Sequence, residues 1–212
     1  MGLLISFFDL LAHLDQHLLA LSQDYGGSIY LILFLIIFCE TGLVVTPFLP
    51  GDSLLFVVGT VAASGAMDVH LAVVLLTLAA VLGNSVNYAV GRWLGTRVFQ
   101  QDSWLFKRAY LERTHRYFER FGGRTIIITR FVPIVRTYAP FVAGIGAMNY
   151  ARFLCFNVIG AVLWVALLAY AGYLFGSVPV VKNNLTLVIF AIILLSISPA
   201  IFELVRHRLK RA

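Results

Sequence analysis

The sequence predicts an all-α integral membrane protein arranged as an inverted repeat. Two re-entrant helical hairpins are each followed by a transmembrane helix, with amphipathic surface helices and a C-terminal transmembrane helix around them. Three observations predict this. The 212 residues are 60% hydrophobic and only 12% charged, with a mean hydropathy of +0.91, a balance foreign to soluble domains of this size. Two apolar stretches are interrupted by prolines with charges beside the break. Short motifs recur in the same order along both halves. One membrane domain, 1–212, accounts for the whole chain.

Residues 1–24 are apolar, with Asp9, His13, Gln16 and His17 spaced for one helical face. That pattern suits an amphipathic helix lying in the membrane interface, or equally one packed on the spans. The start has no basic n-region and no small-residue cleavage site, so it does not read as a removable signal peptide.

The first re-entrant region covers 28–66. Residues 28–45 are apolar around Glu40 and barely reach the ~20 residues a span needs. Thr46-Pro-Phe-Leu-Pro-Gly-Asp52 follows, where Pro47, Pro50 and Gly51 break any helix. The next apolar run is too short to cross. Glu40 and Asp52 then flank a hairpin tip. Were 28–45 a true span, the N-terminus would lie inside; the lack of early Lys and Arg favours outside.

A full span, 69–96, carries Asn84, Ser85 and Asn87. Residues 104–121 mix aromatics with Lys107, Arg108, Arg113, Arg116 and Arg120, a basic amphipathic helix suited to an anionic cytoplasmic leaflet. Nucleic-acid binding does not fit so apolar a chain. The second re-entrant region is 124–147. Spans at 150–176 and 185–206 follow, the latter kinked at Pro199, before the tail Arg206-His-Arg-Leu-Lys-Arg211.

The organising stretch is Thr129-Arg-Phe-Val-Pro-Ile-Val-Arg-Thr-Tyr-Ala-Pro140. Charges at membrane depth are costly and mark sites. Pro133 argues against a straight helix. Broken backbone at that depth survives only inside protein or beside a wet cavity. The stretch reads as a re-entrant loop that presents Arg130 and Arg136 to an anion. On one continuous helix, six residues apart, they would diverge; a turn at Pro133 brings them to one pocket.

Charge placement supports the hairpin. The formal net charge is +6, yet no Lys or Arg precedes Arg92. Basic loops favour the cytoplasm, so 97–124 and 206–211 should share that side. They do so only if 124–147 fails to cross. Internal similarity supports the repeat. Thr46-Pro-Phe-Leu-Pro50 resembles Thr129-Arg-Phe-Val-Pro133, and Gly65-Ala-Met-Asp68 resembles Gly146-Ala-Met-Asn149. Gly91-Arg-Trp-Leu-Gly95 resembles Gly172-Tyr-Leu-Phe-Gly176, each 26 residues after its Gly-Ala-Met motif. Tyr25-Gly-Gly27 and Phe121-Gly-Gly123 open the two units. Counting crossings from a cytoplasmic 97 puts Asp68 outside and Asn149 inside, so the units run in opposite senses, a transporter architecture.

The guanidinium forks of Arg130 and Arg136 suit phosphate. A plainer role is to pair with Glu40 and Asp52 and hold the hairpins together, since buried charges need partners. Glu40 and Asp52 are candidates for a proton switch: an apolar cavity disfavours the carboxylate, a nearby arginine favours it, and an arriving phosphate would weaken that pairing. Asp52 also suits a turn and helix N-cap. Pro47, Pro50, Gly51, Pro133, Pro140 and Gly144 read as hairpin-shaping. Asn84 and Asn87 line a cavity or bond across helices, and Tyr138 contacts ligand or packs. Cys39 and Cys155 sit in apolar runs as inert filler, and the histidines have no metal-ligand spacing. No metal or cofactor is expected.

At these motifs the chain resembles the DedA family, also called the VTT or SNARE-associated Golgi protein family. The matching stretches are Glu40 through Thr46-Pro-Phe-Leu-Pro-Gly-Asp52, Gly83-Asn-Ser-Val-Asn-Tyr-Ala-Val-Gly-Arg92, and Arg130-Phe-Val-Pro-Ile-Val-Arg136 with Ala143-Gly144. The resemblance covers most of the chain. It implies a multi-pass protein of the bacterial inner membrane, with two facing re-entrant loops and a cytoplasmic C-terminus. It implies lipid translocation, of undecaprenyl phosphate or phospholipid, with ties to the proton motive force and envelope integrity. The family's functional acids fall on Glu40 and Asp52, and its functional arginines on Arg130 and Arg136. The family often has an acid after the glycine of the second stretch; Asn84 stands there, which removes a titratable group.

The expected partners are therefore a membrane lipid and protons, with a homo-oligomer left open. The rivals are a proton-coupled exporter of small cations or drugs, with less need of paired arginines, and a non-transporting membrane-organising protein. An enzyme is not expected, since no metal cluster, Ser/His dyad or nucleotide loop is present in the sequence.

Overall fold

The computed structural model describes residues 26–43, 51–94 and 108–176, with isolated positions at 178, 181, 187, 188 and 191. The expected helix at 1–24, Pro47, Pro50, the span at 185–206 and the basic tail lie outside the described residues. Within them every regular element is helical. These are α1 (Ser28–Gly42), α2 (Gly51–Ala63), α3 (Val69–Leu94), α4 (Arg108–Phe121), α5 (Thr125–Ile128), α6 (Pro133–Ile145) and α7 (Tyr150–Gly176). Short 3₁₀ turns at Gly122–Arg124 and Thr129–Phe131 flank α5.

Lengths divide the helices into two classes. At 1.5 Å per residue α3 and α7 are roughly 40 Å long, enough to cross a ~30 Å hydrocarbon core, and each contains a long apolar stretch. By the same rise α1 and α2 are roughly 20 Å long and fall short. Both spans expose apolar rows outward, with Leu71, Val74, Leu78 and Leu82 on α3 and Val158, Val162 and Leu167 on α7. Their polar residues Asn84, Asn87 and Asn157 are buried. Apolar outside and polar inside is the arrangement of a helix bundle solvated by lipid.

Helix directions follow from contacts that advance in step. Thr41 and Gly42 lie against Gly83 near the ends of their runs, while Tyr30 at the start of α1 accepts from Asp68 N at the start of α3. α1 and α3 are therefore parallel. Asn87 meets Thr137 and Gly91 meets Phe141, so α6 runs the same way. Asp52 meets Trp164, Gly172 meets Phe56 and Gly176 meets Thr60, so α2 and α7 are parallel. Asn84 faces Asn157 while His70 faces Tyr170, so α3 and α7 are antiparallel. The chain thus goes out along α1 and back along α2. It does the same in the second half: Gly123 lies against Phe156 and Arg130 against Gly160, so α5 and its 3₁₀ turn follow α7, and α6 then reverses.

The reversal into α6 has a local cause. Val132 is extended (φ −121°, ψ 99°) and Pro133 occupies the first helical turn. Proline forbids an α conformation to the residue before it and is preformed for helix position one. Pro140, expected to shape the hairpin, instead lies inside α6, which continues to Ile145. Gly144 is also inside α6, where it serves close packing rather than a turn.

The two halves make corresponding contacts. A Cβ on Gly144 would overlap Tyr88 O and crowd Arg92 N; a Cβ on Gly59 would overlap Ala169 O and crowd Tyr173 N. Gly91 lies against the backbone of Phe141, and Gly172 against the backbone of Phe56. Each unit's short helix therefore packs on the other unit's span through the same glycine-on-backbone crossing. The repeated Gly-Ala-Met motif has a structural role too. Asp68 Oδ1 accepts from Leu71 N (2.8 Å) and Asn149 Oδ1 from Arg152 N (3.2 Å), capping α3 and α7.

Charge separates the ends of the bundle. Arg92, Arg124 and Arg152 lie where α3 finishes and α7 begins, beside Trp93 and Tyr150. The other end, with Tyr30, Asp68, His70 and Tyr170, has no Lys or Arg among the described residues.

Candidate functional site

The breaks in the short helices bring four charges to the middle of the bundle. Glu40 comes from the last turn of α1 and Asp52 from the first turn of α2, where a carboxylate suits the helix dipole. Arg130 comes from the 3₁₀ turn before the Val132 break, and Arg136 from the first turn after it. Asn84 and Asn87 on α3, and Asn157 and Trp164 on α7, approach from the midsections of the spans.

Arg136 takes both acids. Its Nη2 donates to Glu40 Oε1 (2.5 Å) and its Nη1 to Asp52 Oδ1 (2.8 Å). Glu40 is 1% exposed and Arg136 6%, but Asp52 is 19% exposed, so Asp52 forms the accessible edge of the triad. Trp164 Nε1 donates to the same Asp52 oxygen at 2.8 Å. Gly51 closes the other side: a Cβ there would run into the Glu40 carboxylate. Glu40 Oε2 is buried without a hydrogen-bond partner among the described residues.

Arg130 is held differently. Its Nη2 donates to Asn157 Oδ1 (2.6 Å) and to the Asn157 carbonyl (3.4 Å). Asn157 Nδ2 donates in turn to Val81 O at 3.0 Å. In one sense of its amide Asn84 donates to Asn157 Oδ1 (3.0 Å). In the flipped sense its oxygen accepts from Arg130 Nη2 (2.9 Å) and its nitrogen donates to Thr41 O (3.3 Å). No carboxylate reaches Arg130 among the described residues, and its Nε and Nη1 have no hydrogen-bond partner there. Gly160 lets the guanidinium lie close: a Cβ would sit 3.1 Å from Arg130 Cδ and Nε. Both guanidinium groups stack on the Trp164 ring, at 5.1 Å for Arg136 and 5.8 Å for Arg130.

Four of the residues singled out in sequence, Glu40, Asp52, Arg130 and Arg136, thus meet in one cluster. The simple pairing of both arginines with both acids does not occur: Arg136 takes both carboxylates, and Arg130 makes no direct ion pair among the described residues. Asn87 bonds across helices, donating to Thr137 O (2.8 Å) and approaching Thr41 O (3.4 Å). Tyr138 is packed with Phe141 and Val142. Cys39 and Cys155 are free thiols on the outer surface. Asn157 and Trp164 went unremarked in sequence. A lone Asn within an apolar span was a usable signal; the indole offered none.

Chemically, the cluster can hold an anion at the unused donors of Arg130 and can carry a proton on a carboxylate beside Arg136. Fold and site define an α-helical membrane protein whose lipid-facing bundle encloses a network of ion pairs and amides. The profile of the VTT domain matches residues 49–174, and the chain belongs to the DedA family. It is 54% identical to Protein DedA of Escherichia coli K12 over 211 residues, covering 98% of this chain and 96% of that protein. It is 45% identical to the inner membrane protein YqjA of the same organism over 157 residues, 73% of this chain and 70% of that one. It is 42% identical to an uncharacterised membrane protein of Mycobacterium tuberculosis over 191 residues, 88% and 84% of the two chains. No solved structure is a significant match.

Proposed function

We propose that this protein is a lipid transporter of the bacterial inner membrane that moves a phosphate-bearing lipid, undecaprenyl phosphate or a phospholipid, in exchange with protons. One observation carries the reading: a buried arginine, Arg130, with two unused donors beside a charge-paired Arg136 at the centre of a membrane bundle. A lipid phosphate supplies a missing acceptor and the counter-charge, while its chains stay in the bilayer.

The half-length helices support two re-entrant hairpins. α1 and α2 enter from the end where α3 begins; α5 and α6 enter from the end where α3 finishes. Their tips meet at mid-bundle, the geometry in which two related units rock about a shared site. The basic end of the bundle faces the cytoplasm by the charge rule, which puts the first hairpin on the outer face. A phosphate at Arg130 adds negative charge next to Glu40 and Asp52 and favours protonation of one of them, which links headgroup to proton.

The test is transbilayer movement of undecaprenyl phosphate in proteoliposomes, with phospholipid as competitor. Wild type is compared with Arg130→Gln, with and without a pH gradient. Selective movement lost in the variant is the expected result. Equal movement of both lipids would make the protein a scramblase. Movement of neither would favour cation exchange at the two acids.

A further inference from the structure

The two arginines share one indole but differ in their partners. Arg136 is held by two carboxylates, at 2.5 and 2.8 Å. Arg130 is held by neutral amides alone: the side-chain and main-chain oxygens of Asn157 and, in the flipped sense of its amide, the side-chain oxygen of Asn84. Asn157 is fully buried and is itself pinned to α3 through Val81 O. An amide oxygen aims a guanidinium as well as a carboxylate does, but leaves its charge uncompensated. Burying such a cation is costly, and the cost falls when a mobile anion arrives.

We infer that Asn157, seconded by Asn84, is the specificity element of the site: a neutral amide cradle that orients Arg130 while reserving its charge for a phosphate monoester headgroup. This rests on reading the cluster as a phosphate site. Nε–H and Nη1–H of Arg130 leave the guanidinium from different edges, so an arriving phosphate engages one of them and meets the charge of the group as a whole while Nη2 stays on Asn157. A resident carboxylate at position 157 would take the place of the ligand. Arg136, already occupied by Glu40 and Asp52, has no such reserve. Asn157 acts through Arg130 and is a positioning residue.

The test uses the full chain in detergent, with farnesyl phosphate as the probe and farnesol as its uncharged counterpart. Affinities are measured by calorimetry for wild type, Asn157→Asp and Asn157→Ser. Asn157→Asp is nearly isosteric and gives Arg130 an ion pair, but it has no hydrogen to donate to Val81 O and loses that bond, as does Asn157→Ser. Affinity for farnesyl phosphate should fall at least tenfold in Asn157→Asp, while the new ion pair offsets the lost Val81 bond in the unliganded unfolding midpoint. Asn157→Ser stays neutral and should bind the probe better than Asn157→Asp. A merely structural asparagine predicts the reverse order, with Ser worse than Asp, and that order overturns the inference. Asn84→Asp brings a carboxylate to the same Arg130 nitrogen from α3 and is read the same way should Asn157→Asp not fold. If wild type prefers the phosphate and both Asp variants keep that preference, this inference fails and the phosphate reading stands. If wild type does not distinguish farnesyl phosphate from farnesol, both fall.

Discussion

Arg136 donates to Glu40 at 2.5 Å across 96 positions of chain, and that contact ties the second hairpin to the first. Its other nitrogen holds Asp52 at 2.8 Å. Removing the guanidinium strands the buried Glu40 and leaves the half-buried Asp52 only its Trp164 bond among the contacts described. Losing one partner of a buried pair costs about 3–5 kcal/mol, so Arg136→Ala should lower the unfolding midpoint in detergent sharply. Arg136→Lys keeps the charge but cannot fork to two carboxylates and should fall between. An alanine variant with a wild-type midpoint would mean the acids are satisfied elsewhere.

Trp164 joins the cluster in two ways, as a hydrogen-bond donor to Asp52 and as the surface on which both guanidinium groups lie. Trp164→Phe removes the first and keeps a weaker form of the second. The lost bond costs about 1 kcal/mol. Trp164→Leu also removes the cation–π contacts, each worth about 0.5–2 kcal/mol. Thermal unfolding should rank wild type, Phe and Leu in falling order, and lipid movement should follow that ranking. A Leu variant with the stability of Phe would show that stacking contributes nothing.

The break at Val132 and Pro133 was legible because its cause is local: the proline ring constrains its neighbour wherever it stands. The matching caps and crossings were legible because equal contacts need equal residues at equal spacing, as with Asp68 and Asn149. What stayed hidden is which arginine meets which acid. Arg130 and Arg136 lie on opposite sides of a break, and only tertiary packing decides which one faces α1 and α2. Pro140 reads as hairpin-shaping and sits inside α6, where tertiary packing overrides a local preference. Asn157 was within reach, as a lone amide in an apolar run, but Trp164 resembles any core aromatic until Asp52 is seen beside it.

The matched crossings predict matched sensitivities. Gly59 on α2 and Gly144 on α6 each rest on a carbonyl of the opposing span, so an alanine at either forces rigid backbones apart. Overpacking of this kind costs about 1–3 kcal/mol. Gly59→Ala and Gly144→Ala should destabilise by similar amounts. As they lie at separate crossings, the double variant should be close to additive. Gly27, with open space around it, is the control and should tolerate alanine. A large effect at one crossing and none at the other would show that the halves are not equivalent.

Proton exchange at the cluster predicts a specific phenotype for the acids. Glu40→Gln and Asp52→Asn remove the titrating groups while keeping shape and leaving Arg136 its acceptor oxygens. Lipid movement in proteoliposomes should lose its response to an imposed pH gradient in either variant. Glu40→Gln should be the more severe, because Glu40 is the more deeply buried of the two. Unchanged gradient dependence in both would remove the acids from the coupling.

The turn into each span carries one left-handed residue, and the two turns place it differently. In the first it is Gly65 (φ +84°); in the second Gly146 is not left-handed, and Ala147 takes the position at φ +49°. Alanine pays roughly 1–2 kcal/mol there, partly offset by the 0.5–1 kcal/mol that glycine loses in chain entropy, a range quoted for regular elements and about as large here. Ala147→Gly should therefore stabilise by up to about 1 kcal/mol by this balance, and Gly65→Ala should destabilise by about as much. The pair of midpoints, shifted in opposite directions by exchanging the same two residue types, separates backbone strain from any contact made by the methyl group. A drop in both would mean that the Ala147 methyl is needed for packing under α7.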